Sequence, residues 1–415
     1  MKITPVKGTN DYLPQEAELR DYLQGRILSV YKENGFEHIV TPVVEDIENL
    51  DKSDGGDNLN LIFKILKRGE KLEKALDAGA KRENDLADMG LRYDLTLPLT
   101  RYYACHHDNL PNPVKCIQMD RVYRAERPQK GRLREFVQCD IDIFGSSSPD
   151  SEVELILTTT EALFAIGMQN FRVRINDRRL LRSFLRKLGF EEEQLDSVCI
   201  SFDKLDKIGA EGVIEELKEK QFGEEAIARF SDYLNEGDFS LEKITGMLDD
   251  TAAADSVRYI IDKVNELSDG KFGIGFDLSL VRGQGYYTGT VFEIESIDFK
   301  GSIAGGGRYD NLAGKFLGKQ VPAVGFSIGF ERIFSILKDK GVKVPEAKKK
   351  IVVLYPEGKL TEAVTKARSL RQSGYIASLY VQPKKTGKFL NKMQEYGYDG
   401  VLFADKDEAP KLFSE

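Results

Sequence analysis

Between Arg121 and Gly145 the chain reads RVYRAERPQKGRLREFVQCDIDIFG, and this stretch restricts the fold more than any other. Its second half alternates. Val137, Cys139, Ile141 and Ile143 fall on one side of an extended chain and Gln138, Asp140 and Asp142 on the other, because successive strand side chains point to opposite faces. Val122 and Tyr123 begin an earlier extended run. The link between the two runs carries Pro128 and Gly131 as turn-makers, and Arg124, Arg127, Lys130, Arg132 and Arg134 make the region strongly cationic. The stretch predicts two strands joined by a basic loop. A basic hairpin beside a carboxylate-lined strand suits a substrate that carries both a polyphosphate and an amine. Most charged hairpins only face solvent, so the reading depends on agreement elsewhere in the chain.

VYRAERPQKGRLREFVQCDIDIFG closely resembles motif 2 of the class II aminoacyl-tRNA synthetases, in the form found in the histidyl-tRNA synthetase family. Further signatures of that family follow its order along the chain. Residues 91–102, LRYDLTLPLTRY, are similar to its first histidine signature, with Asp94 where some bacterial members carry Glu. Residues 282–289, RGQGYYTG, resemble the second, RGxxYYTG, although Gln284-Gly285 stand where Leu-Asp is usual. Residues 302–310, SIAGGGRYD, followed by 325–333, GFSIGFERI, resemble motif 3. The helical pattern from Gln15 to Asn34, ended by Gly35, and the strand pattern from Phe36 to Glu45 with Pro42 inside it resemble motif 1, the dimer element. Residues 46–90 read as a polar surface excursion.

The resemblance implies an α/β protein with an α+β catalytic domain: a class II antiparallel sheet flanked by helices, a helical insertion, and a small C-terminal α/β domain. The catalytic domain would comprise residues 1–176 and 271–340, with the insertion at 177–270, where Leu180, Leu181, Phe184, Leu185 and Leu188 share a helix face. From Lys348 a strand–helix–strand–helix–strand pattern predicts a small parallel sheet. It is similar to the anticodon-binding domain over residues 348–415, and it stops several elements short of that domain's usual end.

In function the resemblance implies activation of L-histidine by ATP and transfer to histidine tRNA. Arg124 and Arg282 would be catalytic, gripping the α-phosphate from two sides. Arg124, Glu126, Arg132 and Arg332 would bind ATP, with Mg2+ carried by the nucleotide and no metal held by protein ligands alone. Asp94, Leu95, Thr96, Gln138, Asp142, Tyr286 and Tyr287 would bind histidine, the ammonium falling to Asp94, Thr96 and Gln138. Gln129 and Lys130 would meet the acceptor end of the tRNA, and the segment around Pro42 would build a homodimer. The chemistry of the ring agrees with this. A neutral imidazole presents one donor and one acceptor nitrogen, which the Asp142 carboxylate and the Tyr287 hydroxyl are able to satisfy. Three rivals stand beside this reading: a regulatory, non-catalytic relative serving ATP phosphoribosyltransferase, a class II enzyme for another amino acid, and a tRNA-binding module without catalysis.

Bulk composition limits the remaining classes. A formal net charge of −8 over 415 residues argues against a protein that coats nucleic acid, although Lys384, Lys385, Lys388 and Lys392 form a local basic patch. No stretch is apolar enough to span a membrane, and the start MKITPVKGTNDYLP lacks the apolar core of a signal peptide, so the cytosol is the expected compartment. Four cysteines without CxxC spacing read as reduced and structural. His38 and the pair His106-His107 lack metal-ligand spacing and receive no role.

Overall fold

The structure, a computed structural model, describes residues 3–51, 60–128, 132–282, 285–299, 301–345 and 347–413. In chain order the strands are β1 (Glu37–His38), β2 (Val44–Asp46), β3 (Lys64–Leu66), β4 (Ala87–Leu91), β5 (Val114–Tyr123), β6 (Glu135–Phe144), β7 (Phe171–Asp177), β8 (Gly273–Phe276), β9 (Thr290–Ser296), β10 (Gly301–Arg308), β11 (Ala323–Gly329), β12 (Lys350–Tyr355), β13 (Ile376–Val381), β14 (Gly400–Phe403) and β15 (Lys411–Leu412). The chain divides into two compact units. One holds Met1–Asp11 and Arg20–Lys340, the other Tyr12–Leu19 and Gly341–Glu415.

The first unit is built on an eight-stranded sheet in the order β1-β5-β6-β11-β10-β9-β7-β8. Pairing is antiparallel from β5 through to β7, and the edge strands β1 and β8 add in parallel. The predicted hairpin is β5–β6. Both faces of β6 are largely buried: Val137, Cys139, Ile141 and Ile143 in the core, and Asp140 and Asp142 on the other side. Helices Asp150–Ala165 and Phe330–Asp339 pack on β11 and β6. Register sets Gln138 opposite Gly329, Asp140 opposite Ser327 and Asp142 opposite Gly325.

The strand expected from Phe36 to Glu45 is two strands in different sheets. Pro42 has no amide hydrogen to continue a ladder. β1 pairs with β5 only at Glu37 and His38, and after the break β2 pairs with β4. The Thr41 carbonyl at the break is met by Arg92, whose fully buried side chain donates to it from Nη1 at 2.9 Å and from Nε to the Arg121 carbonyl of β5 at 2.8 Å. The stretch 46–90 is also more than a polar excursion. It contributes β3, most of β4 and helix Glu70–Asp77, and β2-β4-β3 form a three-stranded sheet of their own.

Between β7 and β8 the described chain is helical, from Arg178–Lys187 to Ala252–Leu267. Asp177 ends β7 and caps the first of these helices, its Oδ1 accepting from the Arg179 amide at 2.8 Å. Leu180, Leu181, Phe184, Leu185 and Leu188 are all buried, with Phe202 and Phe230 further along the segment.

In the second unit the sheet order is β13-β12-β14-β15. β12 is central and parallel to both neighbours, and Ile351 to Leu354 are fully buried, the continuous apolar run that a two-sided parallel strand requires. The antiparallel edge β15 goes beyond the expected pattern. Lys384, Lys385, Lys388 and Lys392 are exposed around helix Thr386–Glu395. No helix among the described residues is long and apolar enough to cross a membrane.

Candidate active site

β6, β10 and β11 floor a cavity of about 580 Å3. The polar side of β6 faces it with Gln138, Asp140 and Asp142, and Arg124, Arg132, Arg282 and Arg332 stand around it. Two glycines make this possible. A side-chain carbon on Gly325 would lie 1.8 Å from Asp142 Oδ1, and one on Gly305 would lie 1.7 Å from Arg282 Nη1, so any larger residue would displace the charged group.

Asp142 is 3% exposed. Its Oδ1 accepts a 2.5 Å hydrogen bond from the Tyr309 hydroxyl, and its Oδ2 is buried without a partner. Burial pushes this carboxyl up to about 7, Asp94 pushes in the same direction, and the Tyr309 bond holds it down. Asp140, one strand step away, is held well above the usual carboxylate range by burial and then by the neighbouring Asp142. Tyr286 and Tyr287 close the same end, their ring centroids 4.8 Å apart, with Tyr286 edge-on to Tyr309 at 5.9 Å and its hydroxyl bonded to Thr96.

The cationic end is held as firmly. Arg124 lies over the Tyr93 ring at 4.2 Å and the Phe136 ring at 4.9 Å, and its Nε donates to the Tyr93 carbonyl at 3.2 Å. Arg282 adopts φ 56°, a left-handed backbone that a non-glycine residue rarely takes, and its Nη1 donates to Glu293 Oε2 at 3.0 Å. Arg332 donates to the Ser302 carbonyl, and Arg132 stands 3.5 Å from Glu126. Glu331 is clamped by Arg20 through two bonds of 2.6 and 2.7 Å and also accepts from the Val137 amide at 3.2 Å, which ties the helix after β11 to β6. Among the described residues no group of three or more His, Cys, Asp or Glu side chains is arranged to hold a metal ion.

An acidic pocket thus grades into an arginine-lined one on a single, largely antiparallel sheet. The histidyl-tRNA synthetase family model matches residues 8–333. The chain belongs to the histidyl-tRNA synthetase family. It is 40% identical to the histidine–tRNA ligase of Leifsonia xyli, over 98% of this chain and 96% of that protein. Its fold is similar to the crystal structure of histidyl-tRNA synthetase from Nostoc sp. PCC 7120, with 30% identity, a TM-score of 0.78, and coverage of 97% of this chain and 91% of that one. A Bacillus halodurans structure described as an ATP phosphoribosyltransferase regulatory subunit/histidyl-tRNA synthetase superposes with a TM-score of 0.77 over 97% of this chain and 98% of that one. At 20% identity that likeness shows the fold alone.

Within the family's frame, Thr96, Arg124, Glu126, Arg132, Gln138, Asp142, Arg282, Tyr286, Tyr287 and Arg332 all line the one cavity. Asp94 and Leu95 do not. The Asp94 carboxylate is buried and accepts from the Leu97 amide at 3.2 Å, capping the helix Thr96–His106, and the Leu95 carbonyl accepts from Gln118 Nε2 at 2.7 Å. Gln129, Lys130 and Gln284 lie outside the described residues. Sequence reasoning gave no role to Tyr309, Ser327 or Glu331, which the structure brings into the site. Tyr309 was the most accessible of these, since it directly follows the glycine-rich strand that approaches β6 through β11.

Proposed function

We propose that this protein activates L-histidine with ATP and transfers the histidyl group to the 3′ end of histidine tRNA. The observation that carries the reading is the Asp142 carboxylate, one oxygen bonded to Tyr309 and the other buried and unpartnered, in the same cavity as Arg124, Arg282 and Arg332. Asp142 Oδ2 would accept the imidazole N–H, and the Tyr287 hydroxyl would donate to the other ring nitrogen. A pocket that recognises a substrate through such bonds rejects analogues lacking them by up to about 10⁴- to 10⁵-fold.

The histidine carboxylate attacks the α-phosphorus of ATP, forming a P–O bond as the bond to pyrophosphate breaks. The ribose hydroxyl of the tRNA then attacks the histidyl carbonyl and releases AMP. Transfer of this kind is governed by positioning and charge stabilisation. Arg124, fixed between two rings, would hold the α-phosphate, and Arg282 would approach it from the opposite side, where charge grows in the transition state. Arg332 and Arg132 would take the outer phosphates with the Mg2+ that ATP carries. Charging tRNA is work of the cytoplasm, and we assign the protein there.

The test is histidine-dependent ATP–pyrophosphate exchange followed by charging of histidine tRNA. Exchange that requires histidine, and no other amino acid, is the expected result. A purified protein that binds histidine and gives no exchange would favour the regulatory role instead. We further propose a homodimer through the segment around Pro42, where Val40 is 74% and Val44 43% exposed. Light scattering that reports a single chain with full activity would reject the dimer.

A further inference from the structure

Cross-strand register sets two arginines of β7 opposite two glutamates of β9: Arg172 is opposite Glu295 and Arg174 is opposite Glu293. Directly opposed residues of antiparallel neighbours share a face of the sheet. On its other side Glu293 is opposite Gly305 of β10, which lines the cavity. The two charge pairs are not equivalent. The outer one closes simply, with Arg172 Nη2 2.8 Å from Glu295 Oε2. In the inner one Arg174 Nη1 stands 3.7 Å from Glu293 Oε1, and each partner is engaged elsewhere. Arg174 Nε donates to Asp277 Oδ2 at 2.7 Å, and Glu293 Oε2 accepts from Arg282 Nη1 at 3.0 Å.

Asp277, Arg174, Glu293 and Arg282 thus form a chain of alternating charge that ends at the cavity. Its two carboxylates act on different parts of Arg282. Asp277 accepts from the Ser279 amide at 3.0 Å and the Ser279 hydroxyl at 2.6 Å, and Asn176 Nδ2 donates to the Leu278 and Leu280 carbonyls at 2.9 and 3.0 Å. The backbone that leads into the left-handed Arg282 is therefore pinned to β7. Glu293 holds the guanidinium itself, directly over Gly305, where a side-chain carbon would come within 1.7 Å of Nη1. Arg282 lines the cavity and Glu293 stands behind it, so any effect of Glu293 on a bound phosphate passes through Arg282. A carboxylate paired with one arginine alone would cancel much of the charge that a phosphate needs. Glu293 divides its two oxygens between two guanidiniums and so orients Arg282 with less of its charge cancelled.

We propose that Glu293 is the positioning residue for Arg282, aiming its guanidinium into the cavity while Arg174 shares the carboxylate's charge. The assignment rests on the histidine-activating function proposed above, in which Arg282 meets the α-phosphate. A plain cross-strand ion pair would contribute to stability alone.

The experiment is the kinetics of pyrophosphate exchange in Glu293→Gln, alone and combined with Arg282→Ala. Glu293→Gln keeps the size of the side chain and an acceptor oxygen but removes the charge. The KM values for histidine and ATP should stay within about two-fold of wild type while kcat falls about 10-fold, the lower part of the range for a lost charge-assisted bond. In the Arg282→Ala background the same substitution should change kcat by less than about two-fold, because the group through which Glu293 acts is gone. Glu293→Asp keeps the charge but is a methylene shorter, and should show the same split; it carries the test if Glu293→Gln does not fold. A wild-type kcat in a folded variant, a rise of both KM values in step with the fall in kcat, or an equal loss in the two backgrounds would overturn the role of Glu293 while leaving the function intact. Wild-type protein without histidine-dependent exchange would overturn the function itself and this assignment with it.

Discussion

Replacing Tyr309 with Phe removes one hydroxyl and leaves the ring that packs against Phe144 and Tyr286. What is lost is the 2.5 Å bond to Asp142 Oδ1, which favours the ionised carboxylate. A hydrogen bond to a charged group contributes about 1.5–3 kcal/mol. Its loss therefore raises the Asp142 pKa by about 1–2 units, from about 7 to about 8–9. At pH near 7.5 the ionised share in the free protein would fall from about three quarters to between about a quarter and a few per cent. If ionised Asp142 receives the imidazole N–H, kcat/KM for histidine drops roughly three- to twenty-fold at that pH and recovers as the pH is raised. The assay is the pH profile of kcat/KM in pyrophosphate exchange, whose acid limb reports groups of the free protein. Free histidine titrates identically in both profiles, so the difference between them isolates the protein. An acid limb at the same pH in both proteins would refute the coupling of Tyr309 to Asp142.

Gly305→Ala would place a carbon 1.7 Å from Arg282 Nη1 and force that guanidinium out, so exchange should fall by about 10²–10³, the same factor as in Arg282→Ala, with histidine still bound in a calorimetric titration. Wild-type exchange rates in either variant would remove Arg282 from the chemistry. Asp142 also sets a stability trend. Its folded pKa, about 7, lies above the usual carboxylate value, so between about pH 4 and 7 the folded state keeps a proton that the unfolded chain has released. Stability is then highest below that window and declines as pH rises through it, by at most about 4 kcal/mol. Asp142→Asn should flatten the change in Tm between pH 5 and 8, and an equal slope in both proteins would contradict this. Finally, Cys105 is exposed while Cys116, Cys139 and Cys199 are buried, with burial pushing the Cys116 thiol up to about 12 and Cys199 to about 11. One thiol per chain should react rapidly with a disulfide reagent under native conditions, and rapid reaction of two or more would show the core to be open.

The parts legible in the sequence are those where one local period runs uninterrupted. β6 announces itself by alternation, Val137, Cys139, Ile141 and Ile143 against Gln138, Asp140 and Asp142. The break at Pro42 was harder, since the residues on both sides have strand character and only the pairing with β5 on one side and β4 on the other separates them. The three-residue strands β2 and β3 are too short to display a period at all. In the site, residue types and order pointed to the cavity lining, but roles that depend on contact did not emerge. Asp94 is at once a plausible ammonium ligand and a plausible helix cap, and only the structure shows that its Oδ1 accepts from the Leu97 amide at 3.2 Å. Tyr309 meets Asp142 across 167 positions of sequence, a distance over which no local pattern operates.

The same alternation explains how a strand becomes a measure of substrate. Asp140 and Asp142 are both buried, and folding alone would not favour two carboxyls there, because each raises the cost of ionising the other. Their retention on one face, in step with Gln138, makes sense if the unpaired oxygens are to be met by something that arrives. A molecule that arrives there must bring donors to acceptors carried by alternate residues of one strand. A molecule missing either donor leaves a buried acceptor unsatisfied, at about 1–3 kcal/mol for each. Two such penalties multiply in the binding constant, so the pleat of β6 supplies discrimination that the surrounding arginines, which recognise only phosphate, do not.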